Sequence, residues 1–179
     1  VDAGRVTGVT LANGEKISAG IVVSNADPIT TFERLVGLRN LETDTARRVS
    51  QIRCTGGTAK LHLALNGLPV FTGLQERQLG QRLVIAPDMN YIERAFNAVK
   101  YKEYSTAPAL DISIPTVHDA GLAPAGAHVL SAIVQFAPYA PQGGWEAHRE
   151  TFTQLVVECI ARYAPGIEQQ VVASELLTP

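Results

Sequence analysis

The stretch GIVVSNADP, residues 20–28, carries most of the information about the fold of this chain. Its first four residues form a short apolar run of the kind found in strands that are buried on both faces. Asp27 and Pro28 follow as an N-cap and a first-turn proline. Together they predict a strand, then a helix that contains Phe32, Leu35 and Val36 and ends at Gly37.

A β-hairpin is predicted just before this stretch. Residues 5–11 (RVTGVTL) alternate apolar and polar side chains, Asn13 and Gly14 supply a turn signal, and residues 16–19 (KISA) lead back. We therefore expect a hairpin, a strand and a helix within residues 1–36.

The rest of the chain predicts an α+β domain, with one mixed or antiparallel β-sheet covered by helices. In the first strand, Leu61, Leu63 and Leu65 alternate with Lys60, His62 and Ala64, so one of its faces is expected to be buried. Further strands are expected at residues 110–117, 127–137 and about 170–177, and helices at 88–100 and about 144–163. We expect these two helices to cover a cavity floored by the strands.

Composition narrows the possible functions. The chain has 179 residues, 46% of them hydrophobic, which is enough for a real core, and its net charge of −2 gives no indication of a nucleic-acid surface. Cys54 and Cys159 lack the spacing of a metal site or a redox motif, which favours unpaired thiols in a reducing compartment. We expect a cytoplasmic location, with membrane-peripheral attachment as the alternative, and a targeting signal could precede residue 1 in a longer chain.

Five residues on two of the predicted strands are candidates for binding a small molecule. They combine polar groups with an apolar side chain, as pocket walls do: Lys60, His62, Ser131, Ile133 and Gln135. A solvent-exposed sheet face is the alternative interpretation, because antiparallel sheets commonly leave one side wet. The dipeptide His118-Asp119, with Ser113 nearby, also suggests a hydrolase, but turn chemistry explains it better since no nucleophile elbow is present.

Three blocks of sequence resemble one known superfamily. They are GRVTGVTLANGEKISAG running on to VVSNADP, the long segment DISIPTVHDAGLAPAGAHVLSAIVQFAPY followed by Gly144-Trp145, and SELLTP. Together they resemble the flavin-dependent amine oxidase and phytoene desaturase superfamily. Within it, they are most similar to phytoene dehydrogenase-related and pyridine nucleotide-disulfide oxidoreductase domain-containing proteins.

The resemblance implies that this chain is a fragment of a flavoprotein. Residues 1–36 would be a remnant of the FAD-binding domain, and residues 37–179 would form the substrate-binding domain. No Gly-x-Gly occurs among the 15 glycines, so we expect FAD in the longer protein and none bound to this fragment.

Ser24, Asn25 and Ala26 are the candidate cofactor contacts. Ligands in open α/β sheets bind beyond the carboxyl ends of strands, and in the proteins this chain resembles that strand end lies close to the flavin nucleotide. A plain strand-to-helix turn capped by Asp27 is the alternative.

The implied function is that of the substrate-binding part of an FAD-dependent oxidoreductase. The flavin would abstract hydride from a hydrophobic or amine-type substrate, and no side chain of this chain need be catalytic. A non-enzymatic lipid- or protein-binding module on the same scaffold is the alternative. The expected partners are the substrate, the missing segments of the FAD-binding domain and a second copy of the chain paired through residues 20–24, with no nucleic acid and no metal.

Overall fold

The computed structural model describes residues 1–2, 4–52 and 56–179. The chain divides into two compact units, the N-terminal unit (Val1–Cys54) and the sheet unit (Thr55–Pro179). Cys54, one of the two predicted free thiols, lies outside the described residues.

The N-terminal unit contains the predicted hairpin. Strand β1 (Gly8–Thr10) pairs antiparallel with β2 (Lys16–Ser18). In the connecting turn, the Leu11 carbonyl accepts the Gly14 N–H at 2.9 Å, and the Asn13 side chain accepts the Glu15 N–H at 3.0 Å. The Asn-Gly signal therefore predicted the turn correctly.

The strand predicted at residues 20–24 is wrong. The structure assigns no strand there, and Ile21 and Val23 are 84% and 91% exposed. An apolar run forms a strand only when a neighbour takes up its backbone hydrogen bonds, and no described residue pairs with this one.

The helix that follows is confirmed, in π-type form, at Ile29–Val36. The Asp27 carboxylate accepts the Thr30 N–H at 3.0 Å, and its hydrogen bonds to Thr30 lower the pKa of Asp27. Gly37, at φ 86°, ends the helix. Helix α1 (Thr43–Ser50) follows, and on its exposed side both Arg47 and Arg48 pair with Asp44.

The sheet unit is built on five strands whose neighbours are all antiparallel, which confirms the α+β expectation. In spatial order they are β4 (Leu83–Ile85), β5 (Leu110–Ser113), β6 (His128–Pro138), β3 (Gly56–Leu65) and β7 (Val171–Leu177). That this sheet is the substrate domain of a flavin amine oxidase-like fold stays a prediction.

Two strand boundaries differ from the sequence prediction. β5 ends at Ser113 rather than at residue 117 because Pro115, which has no N–H to donate to a ladder, begins a 3₁₀ turn at Pro115–Val117. Sequence patterning also missed β4, whose three residues are too few to show a period.

One face of the sheet forms the core. Leu61, Leu63 and Leu65 are at most 1% exposed, and they belong to the same buried cluster as residues of helix α3 (Arg149–Ala161), among them Phe152, Val156 and Ile160. This helix begins later than predicted because residues 145–147 form a separate 3₁₀ turn. Helix α2 (Met89–Val99) begins where the sequence predicted. The carboxylate of its N-cap residue Asp88 accepts the Tyr91 N–H at 2.7 Å.

A β-bulge interrupts β6 near its end. Thr58 lies opposite Gln135 and Gly57 opposite Ala137, so Phe136 is the extra residue, at φ 62°. Its ring meets that of Phe96 edge to face at 5.5 Å, which joins β6 to α2. Beyond α3, the short helix α4 (Ile167–Gln170) leads into β7.

Among the described residues, no helix has the length and apolar character required to cross a lipid bilayer.

Candidate functional site

The five predicted substrate residues come together on one face of the sheet. His62 lies directly opposite Ser131, Lys60 lies opposite Ile133, and Gln135 lies two positions further along β6. On both strands they alternate with core residues, so they point away from the side on which α3 packs. We call this side the second face.

The second face is partly open to solvent. His62, Ser131, Ile133 and Gln135 are half-buried and Lys60 is exposed. The prediction that the helix near residues 144–163 covers this floor is wrong for α3, which packs on the leucine face because that face carries the larger apolar side chains.

A row of four hydrogen-bonding side chains crosses the middle of the second face, which we call the polar row. Ser113 on β5 lies opposite Ser131 on β6, Ser131 lies opposite His62 on β3, and His62 lies opposite Glu175 on β7. Residues opposite one another on neighbouring strands have Cβ atoms about 4.5–5.5 Å apart. Sequence reasoning missed Ser113 and Glu175 as members because only strand register places them beside His62 and Ser131.

The next row is apolar at its centre and charged at its flanks. Ile133 lies between Asp111 on β5 and Lys60 on β3. Arg82 donates to both carboxylate oxygens of Asp111, from Nε at 2.9 Å and from a terminal nitrogen at 2.6 Å, and this pair raises the pKa of Arg82. The Asp111 charge is thus matched within the sheet unit.

The four histidines of the chain fall into two groups. Three hold parts of the fold together: His118 Nε2 contacts the Gly80 carbonyl, His128 Nδ1 lies 3.0 Å from the Thr116 hydroxyl, and His148 lies between Tyr104 and the Gln142 carbonyl. His62 differs, since its ring makes no hydrogen bond to any residue the structure describes.

The hydrolase alternative finds no support in this geometry. Asp119 accepts the Gly121 N–H at 2.9 Å and so caps its own turn, while His118 is held by the Gly80 carbonyl. His118-Asp119 is therefore a turn, as the preferred interpretation predicted. Within residues 1–2, 4–52 and 56–179, no cluster of three or more His, Cys, Asp or Glu could hold a metal ion.

The candidate cofactor residues form the turn that precedes the π-type helix. The Ser24 hydroxyl lies 2.7 Å from the Thr31 hydroxyl and accepts the Ala26 N–H at 3.3 Å, and the Thr31 hydroxyl donates to the Ala26 carbonyl at 3.2 Å. Asn25 is exposed, and its amide makes no hydrogen bond within the described residues.

Ser24 and Ala26 line a groove of about 640 Å³ in the N-terminal unit, together with apolar side chains that include Val9, Val22, Phe32 and Leu35. The residues of this turn suit one part of FAD but not its pyrophosphate. The charged Asp27 carboxylate occupies the helix start, where a pyrophosphate would otherwise be favoured, whereas the free Asn25 amide suits a neutral part of the cofactor. These roles stay predictions.

The chain is similar over nearly its whole length to a pyridine nucleotide-disulfide oxidoreductase domain-containing protein and to phytoene desaturases. It is 33% identical over 187 residues to pyridine nucleotide-disulfide oxidoreductase domain-containing protein 2 of Mus musculus, an alignment that covers 98% of this chain and 32% of the mouse protein. It is 29% identical over 182 residues to a neurosporene-forming phytoene desaturase of Cereibacter sphaeroides, covering 100% of this chain and 34% of that protein.

A chloroplastic prolycopene isomerase of Daucus carota is 27% identical over 186 residues, which cover 100% of this chain and 28% of that protein. The chain thus spans about a third of the length of the curated relatives it matches. No protein-family model matches it. The relatives confirm the resemblance to the flavin-dependent amine oxidase and phytoene desaturase superfamily that the three sequence blocks indicated.

Proposed function

We propose that this chain is the substrate-binding part of an FAD-dependent oxidoreductase of the phytoene dehydrogenase-like type, acting on a hydrophobic or amine-type substrate. One observation carries the proposal: the similarity to desaturases and related oxidoreductases extends over nearly all of the chain. The activity would belong to a protein that contains both this chain and a flavin-binding segment.

The second face supports this role. It places Lys60, His62, Ser131, Ile133 and Gln135 on one half-open surface, which combines few polar groups with an apolar centre as small-molecule sites do. In this proposal the flavin supplies hydride transfer, while the sheet positions the substrate and limits its contact with water.

The N-terminal unit would contribute cofactor contacts. Asn25 offers a free amide, while Ser24 and Ala26 hold the turn through their mutual hydrogen bond. The absence of any Gly-x-Gly in the sequence supports the proposal that this chain does not hold FAD by itself.

A binding module without catalysis is the second candidate, and one observation favours it. The N-terminal unit exposes large apolar side chains, with Ile21 and Val23 more than four-fifths exposed. Such surfaces mark interaction sites for proteins or lipids. A cytoplasmic, membrane-peripheral protein that self-associates through residues 1–36 stays part of this proposal.

The deciding experiment uses the intact gene product that contains this chain. We expect the purified protein to show flavin absorbance bands and to lose them under anaerobic conditions when an apolar or amine substrate is oxidised. A colourless protein that still binds lipid or a protein partner would contradict the oxidoreductase proposal and favour the binding module.

A pair of variants tests whether the second face is the substrate surface. Ile133→Asp places a charge at its apolar centre and should lower kcat/KM about tenfold or more, because a bound apolar substrate would desolvate the carboxylate. Val70→Asp is the control, since Val70 is 75% exposed and lies outside the strands of the sheet. Equal activity of both variants would exclude this face.

A further inference from the structure

His62 is the histidine that the fold does not use. The other three each have a hydrogen-bonding partner that ties two segments together, whereas no described residue contacts the His62 ring in this way. A half-buried imidazole that has given up part of its water and gained no protein partner is suited to a ligand.

The neighbours of His62 in the polar row share this property. Ser113 and Ser131 are half-buried residues, and neither hydroxyl makes a hydrogen bond to a described residue. The Thr116 hydroxyl provides the contrast within the same unit, since it accepts the Val129 N–H at 3.2 Å and meets His128. The polar row therefore contains three neighbouring side chains, His62, Ser113 and Ser131, that can form hydrogen bonds but form none with the described residues.

The rows on either side of the polar row are apolar at their centres. Ile133 adjoins it on one side, and Ala64 and Val129, which lie opposite each other, adjoin it on the other. A molecule lying along the strands would thus meet an apolar surface, then one band of hydrogen-bonding groups, then an apolar surface again.

The formal charges of the second face cancel. Arg82 is paired with Asp111, and the remaining charges are those of Lys60 and Glu175, one of each sign. Lys60 and Glu175 are both exposed, so their charges stay solvated and compensate little for the hydration that an ionic group would lose on this face, which favours a neutral ligand.

We infer that the second face binds a neutral, largely apolar molecule with one hydrogen-bonding oxygen, such as a ketone or an alcohol, and that His62 and Ser131 bind this oxygen. The inference rests on the proposed function and narrows it: the substrate is oxygenated rather than a pure hydrocarbon, an acid or an amine. His62 and Ser131 set this specificity, and Ile133 provides apolar contact.

The test compares four probes of equal chain length on the intact gene product: 2-nonanone, nonane, nonanoate and nonylamine, all presented in the same detergent micelles. Dissociation constants come from isothermal titration calorimetry, and NMR of the histidine ring protons of the wild type shows whether the probe contacts His62. We expect 2-nonanone to bind most tightly and to shift the His62 signals, and His62→Ala or Ser131→Ala to weaken it about threefold to tenfold, the effect of one neutral hydrogen bond.

Two further variants keep the test independent of folding defects. His62→Gln retains an N–H donor and should recover most of the affinity, while His118→Gln removes a histidine that lies outside the second face and should leave binding unchanged. Binding of nonane, nonanoate or nonylamine as tight as that of 2-nonanone would overturn the inference. So would an unchanged affinity in His62→Ala, or the absence of binding by all four probes, which would indicate a solvated sheet face.

Failure of the proposed function has a different signature. A gene product without flavin that still ranks 2-nonanone first would contradict the oxidoreductase assignment while keeping the inferred specificity. A flavoprotein that binds nonane most tightly would keep the oxidoreductase assignment and contradict the inferred specificity for an oxygenated substrate.

Discussion

The two units of this chain differ in what they do with their apolar residues. Among its described residues, the N-terminal unit buries one hydrophobic side chain, Val49, whereas the sheet unit packs a continuous core around Leu61 and Leu63. Both units nevertheless carry clear amphipathic patterns. The difference teaches that a pattern specifies which side of an element is to be covered, but not what covers it.

The largest expected effect is a difference in the free energy of unfolding between core truncations in the two units. Leu63→Ala removes a side chain with 0% exposure and should lower the free energy of unfolding by about 2–5 kcal/mol. Leu35→Ala, in the N-terminal unit, truncates a side chain that is 69% exposed and should change it by about 0.5 kcal/mol or less. Urea unfolding of both variants measures the two values, and equal losses would show that Leu35 is buried in solution.

Hydrogen exchange sharpens the same comparison without mutation. Strand β3 is paired on both sides, with β6 and with β7, in a five-stranded sheet, so its amides should exchange only through global opening. Those of β1, which pairs with β2 alone, should exchange by local opening and much faster. If Val9 were protected as strongly as Leu61, the contrast between the units would be wrong.

The third prediction concerns association. Ile21 and Val23 expose apolar side chains on a segment without strand partners among the described residues, and we expect them to promote self-association. Val23→Lys should shift the protein toward monomer in sedimentation velocity while leaving its unfolding midpoint unchanged. Val70→Lys, at a 75% exposed site in the sheet unit, is the control. A wild-type chain that sediments as a monomer at high concentration would exclude this idea.

The smallest expected effect is a dependence of stability on pH. Burial raises the pKa of the Cys159 thiol, so above about pH 8.5 the unfolded chain loses a proton that the folded chain retains. Stability should therefore fall as pH rises from about 8 to 10. Thermal midpoints of the wild type and of Cys159→Ala measure this fall, and the variant should show the shallower slope. Equal slopes would show that Cys159 does not contribute.

The sequence predicted most of the sheet unit because its signals are local. The alternation of Leu61, Leu63 and Leu65 identified β3, and Asp88 marked the start of α2. β5 was predicted too long because the apolar pattern continues through Pro115, where the missing N–H ends the ladder.

The site was predicted in part for the same reason. His62 and Ser131 follow from alternation along single strands, which a sequence displays directly. Their neighbours Ser113 and Glu175 depend on the register between strands, which is set by long-range packing. The strand prediction for residues 21–23 was wrong for a third reason. The apolar character of the segment was identified correctly, but no described residue pairs with it to form a strand.

The bulge at Phe136 also determines where the chain tolerates a change of length. Deleting one residue within β3 near His62 would exchange the two faces, turning leucines outward and imidazole into the core. Deleting Phe136, in contrast, would remove a residue that has no partner on β3 and leave the pairing of Gly57 with Ala137 and of Thr58 with Gln135 available. Natural or engineered insertions and deletions should accordingly accumulate at this point of β6, while the polar row keeps its spacing.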